Sequence, residues 1–175
     1  MEKGKIFLGF PCIGKSKLCE YTTSFIDLNI SDFVDCKKDT ENTAWVKVYV
    51  NVAIRMVNSG HNVFLTTHPL VRQEVYNRAK EGAIDEFIIL LPNPCSRLAF
   101  INRAKTRCET DIDDLAKHQI SFENISNNFC SEIKDIIDEC SNIESDDYKG
   151  IHHDIYFIND IEKDLYDVLK FYKLI

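Results

Sequence analysis

A glycine-bounded segment that ends in lysine and serine is the strongest constraint on how this chain can fold. Residues 9–16 read GFPCIGKS, which matches the spacing G-x-x-x-x-G-K-[ST] in full. The apolar run IFLG leads into the segment and a helical pattern follows it, so the segment joins a strand to a helix. In that setting the backbone N–H groups of the segment can surround phosphate oxygens. The motif therefore predicts a phosphate-binding loop.

The spacing also assigns roles to individual side chains. Lys15 is expected to reach the β- and γ-phosphates of a nucleotide, and the Ser16 hydroxyl is expected to bind Mg²⁺. The other nucleotide-binding residues are predicted along the loop and the first turn of the helix: Gly9, Phe10, Pro11, Cys12, Ile13, Gly14 and Leu18. The alternative is an incidental strand–helix turn, which the flanking pattern disfavours. The segment thus predicts ATP and Mg²⁺ as ligands.

Short apolar runs alternate with helical patterns along the whole chain. The runs at 5–9, 28–34, 62–67, 86–91 and 154–158 predict strands, and the patterns at 15–25, 42–59, 69–80, 96–107, 112–140 and 161–172 predict helices. Runs such as VFLTT and FIILL suit parallel strands that are covered on both faces. We expect an α/β fold, with a doubly wound parallel sheet of five strands and helices on both faces. A length of 175 residues fits a single domain over 1–175.

The charge and the cysteine pattern limit the class of partner. A net charge of −7 and a pI near 5.2 predict no general attraction to nucleic acid or to anionic membranes. The seven cysteines are odd in number and form no CxxC pair, which favours free thiols in a reducing compartment. Apolar runs such as FIILLP fall far short of the roughly 20 residues that span a bilayer. We expect a soluble cytoplasmic protein without a signal peptide or membrane partner.

The loop sequence resembles the P-loop of nucleoside and nucleotide kinases. Similarity to small P-loop proteins of bacteriophages, which are described as nucleotide kinases or ATPases, continues in order along most of the chain. The segments that carry it are DFVDC (32–36), AWVKVYV (44–50), VFLTTHPLVRQEV (63–75), LLPNPCSRLAFINRAKTR (90–107) and YFINDIEKDL (156–165). The resemblance implies a P-loop NTPase-type fold and an ATP-dependent phosphotransferase. A bacteriophage source would place the protein in the host cytoplasm.

The resemblance also implies a catalytic carboxylate near the end of the second strand. Asp32 and Asp35 flank that position, and Asp35 is preferred because it lies further toward the carboxyl end, where α/β sites open. It would activate the acceptor hydroxyl or bind Mg²⁺ together with Ser16. The alternative is a pair of ordinary loop acids. The third strand ends in threonines where an aspartate is usual, which disfavours a motor ATPase.

Arginines after the fourth strand are a further implied feature. Proteins of the resembled group carry a lid that closes over the nucleotide, and the corresponding segment here is a helical stretch at about 94–118. Arg103 and Arg107 are four residues apart, so they share one helix face and could neutralise the transferring phosphoryl group. Arg103 is also expected to contact the nucleotide. The alternative is a solvated helix face paired with the acidic residues at 111, 113 and 114.

Residues on the second and third helices are candidates for the acceptor site. Trp45 and Tyr49 lie one turn apart and could stack on a base, although core packing is the alternative. His68 could contact the acceptor or cap a helix, and Arg72 could bind an acceptor phosphate.

The function predicted from these features is phosphoryl transfer from ATP to a nucleoside, nucleotide or related small acceptor. A polynucleotide or modified-base kinase is one alternative, which the acidic charge disfavours. A nucleotide-binding regulatory module with little turnover is the other. The sequence does not determine the oligomeric state.

Overall fold

The computed structural model describes residues 3–34, 43–110, 115–143, 151–159 and 164–175. These residues form an α/β structure around a five-stranded, all-parallel sheet, which confirms the predicted class and strand number. The strands are β1 (Ile6–Gly9), β2 (Phe25–Asp27), β3 (Asn62–Thr66), β4 (Glu86–Pro92) and β5 (His152–Ile158). Their order across the sheet is β2-β3-β1-β4-β5, so β1 is the central strand.

Six helices connect or follow the strands. They are α1 (Lys15–Tyr21), α2 (Ala44–Asn58), α3 (Pro69–Lys80), α4 (Arg97–Thr110), α5 (Leu115–Ile143) and α6 (Leu165–Phe171). The turn after α2 contains Gly60 in a left-handed conformation (φ 91°), which glycine adopts without strain. No helix in the described parts of the chain combines the length and the apolar character that crossing a bilayer requires.

The register of the central strands explains their apolar sequences. All four residues of β1 are buried, and they pair with Val63 to Thr66 of β3 on one side and with Phe87 to Leu90 of β4 on the other. A strand with neighbours on both edges and no exposed residue needs apolar side chains on both faces. At the carboxyl end, Gly9 lies level with Thr66 and Leu90, so the loop at 9–16 leaves the sheet beside these two residues.

The second strand is the main departure from the predicted elements. A strand at 28–34 is wrong, because β2 occupies Phe25–Asp27 and pairs in parallel with β3 from Asn62 to Phe64. A 3-10 turn at Ile30–Asp32 follows it. The predicted first helix consequently ends at Tyr21 rather than at residue 25.

The chain forms two compact units. The first comprises Met1–Phe10, Lys15–Leu90 and Gly150–Tyr156, and its core includes Phe7, Phe25 and Phe64, whose ring centroids lie 5.2 to 5.6 Å apart. The second comprises Pro11–Gly14, Leu91–Lys149 and Phe157–Ile175. In the second unit α4 packs along α5, with the rings of Phe100 and Phe129 in contact at 5.9 Å.

Candidate functional site

The loop between β1 and α1 contains two residues with a positive φ. Gly14 has a φ of 102°, which favours glycine, and Cys12 has a φ of 63°. A non-glycine residue in the left-handed region costs on the order of 1 kcal/mol or more, so the fold around Cys12 must impose this conformation. Left-handed residues within a turn direct successive backbone N–H groups toward one concave side.

Lys15 lies across this loop. Its ammonium donates hydrogen bonds to the carbonyl oxygens of Gly9 and Phe10, each at 3.0 Å. The side chain is half-buried, so its charge is held close to the backbone of the loop rather than extended into solvent. The structure therefore brings the predicted phosphate-binding cation to the loop that it is expected to serve. Leu18, one turn further along α1, is fully buried and packs in the core.

A carboxylate stands next to the loop serine. The Ser16 hydroxyl donates a hydrogen bond to Oδ2 of Asp27 at 2.7 Å, and Asp27 is the last residue of β2. Sequence reasoning missed this residue because it placed the strand at 28–34. The signal was present in the order of residues 25–27, two apolar residues followed directly by an acid. Such an acid lies at the carboxyl edge of a parallel sheet, where α/β sites open.

The two acids predicted for this role are placed differently. Asp32 is exposed and belongs to the 3-10 turn, where its backbone N–H bonds the carbonyl of Asn29 at 3.1 Å. Asp35 lies outside the described residues. Of the three aspartates, Asp27 is therefore the one that the structure shows in contact with the loop.

Tyr49 joins the ends of two strands to α2. Its hydroxyl donates to the carbonyl of Leu28 at 2.8 Å and accepts from the N–H of Thr66 at 3.3 Å. Its ring meets Phe33 edge-on at 5.0 Å and Trp45 at 6.2 Å. Tyr49 is fully buried, and burial raises the pKa of its phenol above the usual value. These contacts describe a buried structural tyrosine, whereas Trp45 is half-buried.

The turn between β3 and α3 is held by its own polar groups. His68 is the N-cap of α3, with Nδ1 accepting from the N–H of Leu70 at 3.3 Å, and its ring meets Trp45 at 5.8 Å. Arg72 is only 2% exposed, and its guanidinium donates to the carbonyl of Thr67. Burial, and secondly the charge of Arg72, lower the pKa of His68 below its usual value.

In the second unit, α4 directs two arginines toward residues of the loop. Arg107 Nη1 lies 3.7 Å from Cys12 Sγ, which accepts a hydrogen bond from it. Arg103 Nη2 would lie 3.6 Å from a Cβ atom placed on Gly14. Arg97, by contrast, donates to the carbonyl of Ser126 on α5 at 2.9 Å. The two arginines predicted for the lid thus share a helix face beside the middle of the loop.

The chemistry of the donor set fits a magnesium ion. Ser16 and Asp27 supply a hydroxyl and a carboxylate within 2.7 Å of each other. Mg²⁺ prefers oxygen ligands, and near nucleotides it typically takes one or two protein groups together with phosphates and water. Within the described parts of the chain, no group of three or more His, Cys, Asp or Glu residues could hold a metal ion alone.

Comparison with known proteins adds no assignment. No protein-family model matches the sequence, and no curated protein matches it significantly. The function therefore has to be argued from the site itself.

Proposed function

We propose that this protein is an ATP- and Mg²⁺-dependent phosphotransferase with a P-loop NTPase-type, doubly wound fold. Its acceptor is a nucleoside, a nucleotide or a related small molecule. The observation that carries the proposal is the hydrogen bond between Ser16 and Asp27, because it joins the hydroxyl of the GKS motif to a carboxylate. An acid at this position supplies the oxygen ligand or proton acceptor that a site for metal-assisted phosphoryl transfer uses.

In this account the loop and Lys15 bind the triphosphate. The backbone N–H groups of residues 9–16 donate to phosphate oxygens, and Lys15 exchanges the carbonyls of Gly9 and Phe10 for phosphate oxygens. The backbone donors are already present on the loop, and Lys15 has only to move from the two carbonyls to the phosphates. These contacts contribute to the affinity for ATP in the ground state.

Asp27 acts on the reacting centre. With Ser16 it would hold Mg²⁺, and that ion when bound neutralises charge on the β- and γ-phosphate oxygens. Asp27 therefore takes the role for which the sequence predicted Asp35 or Asp32. Arg103 and Arg107 add positive charge near residues 12–14 of the loop as charge develops on the transferring group.

The acceptor site is proposed among residues of the first unit that follow β2 and β3. Trp45 and His68 are the candidates for direct contact, since their rings meet and neither is fully buried. Tyr49 and Arg72 are buried and hold the surrounding turns. Nucleic acid is a disfavoured acceptor because the chain is acidic.

A second candidate function has one observation in its favour. Strand β3 ends in Thr66 and is followed by Thr67, so this strand supplies no acid beside the loop. A nucleotide-binding regulatory module with little turnover needs only the loop, and it would tolerate that lack.

A screen for acceptor-stimulated ADP release separates the two functions. The purified protein is incubated with Mg-ATP and, separately, with nucleosides, nucleoside monophosphates and oligonucleotides. The phosphotransferase proposal predicts that one class of small acceptor raises ADP release in parent protein and not in Asp27→Asn. A parent that binds ATP but releases no ADP with any acceptor favours the regulatory module.

A further inference from the structure

One buried hydroxyl in the first unit lacks a hydrogen-bond partner among the residues that the structure describes. Thr67, the residue after β3, is 1% exposed, and its Oγ1 neither donates to nor accepts from a described group. A buried hydroxyl without a partner is destabilising, and native structures contain few of them. The presence of such a hydroxyl at Thr67 therefore calls for a physical reason.

The turn around Thr67 is otherwise well bonded. The N–H of Thr66 donates to Tyr49, and the Thr66 hydroxyl accepts from the N–H of His68 at 3.3 Å. The carbonyl of Thr67 itself accepts from the buried guanidinium of Arg72. These hydrogen bonds hold the backbone on both sides of the Thr67 side chain.

The register of the sheet places Thr67 beside the phosphate-binding loop. Thr66 is paired with Gly9, and the next residue on each chain is Thr67 and Phe10 respectively. The carbonyl of Phe10 is one of the two that accept from the Lys15 ammonium. Thr67 therefore directly follows the residue that pairs with Gly9, the first residue of the loop.

We propose that the Thr67 hydroxyl donates a hydrogen bond to an oxygen of the terminal phosphate of bound ATP. The inference rests on the proposed function and adds to it a residue that distinguishes a triphosphate from a diphosphate. In the proposed complex the contact forms as Lys15 exchanges the carbonyls of Gly9 and Phe10 for phosphate oxygens.

The test compares the affinity for a non-hydrolysable ATP analogue with the affinity for ADP, each with Mg²⁺, by titration calorimetry. Thr67→Val removes the hydroxyl and keeps the shape of the side chain. We expect its melting temperature to equal or exceed that of the parent, its analogue affinity to fall about tenfold, and its ADP affinity to stay unchanged. Thr67→Ser should bind both nucleotides as the parent does. Thr67→Ala should show the same loss of analogue affinity as Thr67→Val, and it provides a second test if the valine variant does not fold.

Ser126→Ala is the matched control, because Ser126 on α5 carries the other buried hydroxyl without a partner in the described residues. It should leave both affinities unchanged. An unchanged ratio of the two affinities in Thr67→Val and Thr67→Ala would overturn the inference. Equal losses of both affinities together with a lower melting temperature would also overturn it, in favour of a structural hydroxyl. If the parent and Lys15→Ala bind the analogue equally, the proposed function fails and this inference fails with it.

Discussion

Ser16 and Asp27 are joined by a 2.7 Å hydrogen bond from the serine hydroxyl to the aspartate Oδ2. The serine begins α1 within the GKS motif, and the aspartate ends β2. This contact places a carboxylate beside the hydroxyl of the motif. Several consequences of that arrangement can be measured.

Asp27→Asn should lower turnover far more than ATP affinity. The amide can still accept from Ser16, so the loop keeps its shape, but the negative charge at the reacting centre is lost. Losses of a group that acts in the transition state are typically on the order of 10² to 10⁴ in rate. Steady-state kinetics with the best acceptor, together with an ATP titration, give the two quantities. Asp32→Asn is the control, since Asp32 is exposed on the neighbouring turn, and equal behaviour of the two variants would refute the role of Asp27.

The position of Asp27 at the end of β2 is a feature that the sequence pattern did not predict. Five apolar runs that alternate with helical patterns predicted a parallel sheet of five strands, and the structure has five strands with β1 at the centre. Strand β2 has only three residues, too few for a periodicity to be recognised. The longer stretch at 28–34, which was predicted as the strand, contains a 3-10 turn instead, because Asn29 accepts from the N–H of Ser31 at 3.3 Å and begins that turn.

The roles of the residues proposed for acceptor binding were predictable only in part, for a related reason. The spacing of Trp45 and Tyr49 placed both side chains on one face of α2. Spacing alone cannot distinguish a ring that stacks on a base from a ring that is buried in the core. The hydrogen bonds of Tyr49 to Leu28 and Thr66 decide that question, and they depend on tertiary contacts. A single sequence does not encode such contacts in any local pattern.

Tyr49→Phe should destabilise the protein without altering the loop. The change leaves the carbonyl of Leu28 and the N–H of Thr66 without their partner in a buried setting, which typically costs about 1 to 3 kcal/mol. Chemical denaturation measures the loss in the free energy of unfolding. Tyr21→Phe is the control, because Tyr21 is 66% exposed and should lose little. A Tyr49→Phe variant as stable as the parent would contradict this structural role of the Tyr49 hydroxyl.

His68 should make the stability depend on pH below neutrality. Its pKa in the folded protein lies below its usual value of 6.5, owing to burial and to Arg72, so the unfolded chain binds the proton first as the pH falls. The contribution of His68 to stability is therefore complete above about pH 6.5 and is lost as the pH falls toward its folded pKa. His68→Asn keeps a side chain that can cap α3 and removes the titration. Denaturation at pH 7.5 and pH 5 should show a smaller decrease for the variant than for the parent, and equal decreases would contradict the assignment.

Arg107→Ala should reduce turnover more modestly than Asp27→Asn, and Arg103→Ala should behave likewise. Both arginines lie beside residues 12–14 of the loop, and their charge is expected to matter most in the transition state. The matched control is Arg97→Ala, which removes an arginine of the same helix that bonds the Ser126 carbonyl. Identical kinetics for all three alanine variants would contradict a catalytic role for Arg103 and Arg107.

Binding of Mg-ATP to the parent and to Lys15→Ala is the measurement that tests the central claim most directly. Lys15 sits on the carbonyls of Gly9 and Phe10 and supplies phosphate-binding charge, so its loss should abolish measurable ATP binding while the melting temperature stays close to that of the parent. Lys17→Ala, an exposed lysine of the same helix, should bind as the parent does. If calorimetry gives the same ATP affinity for the parent and for a folded Lys15→Ala, the Gly9–Ser16 loop is not the phosphate-binding site.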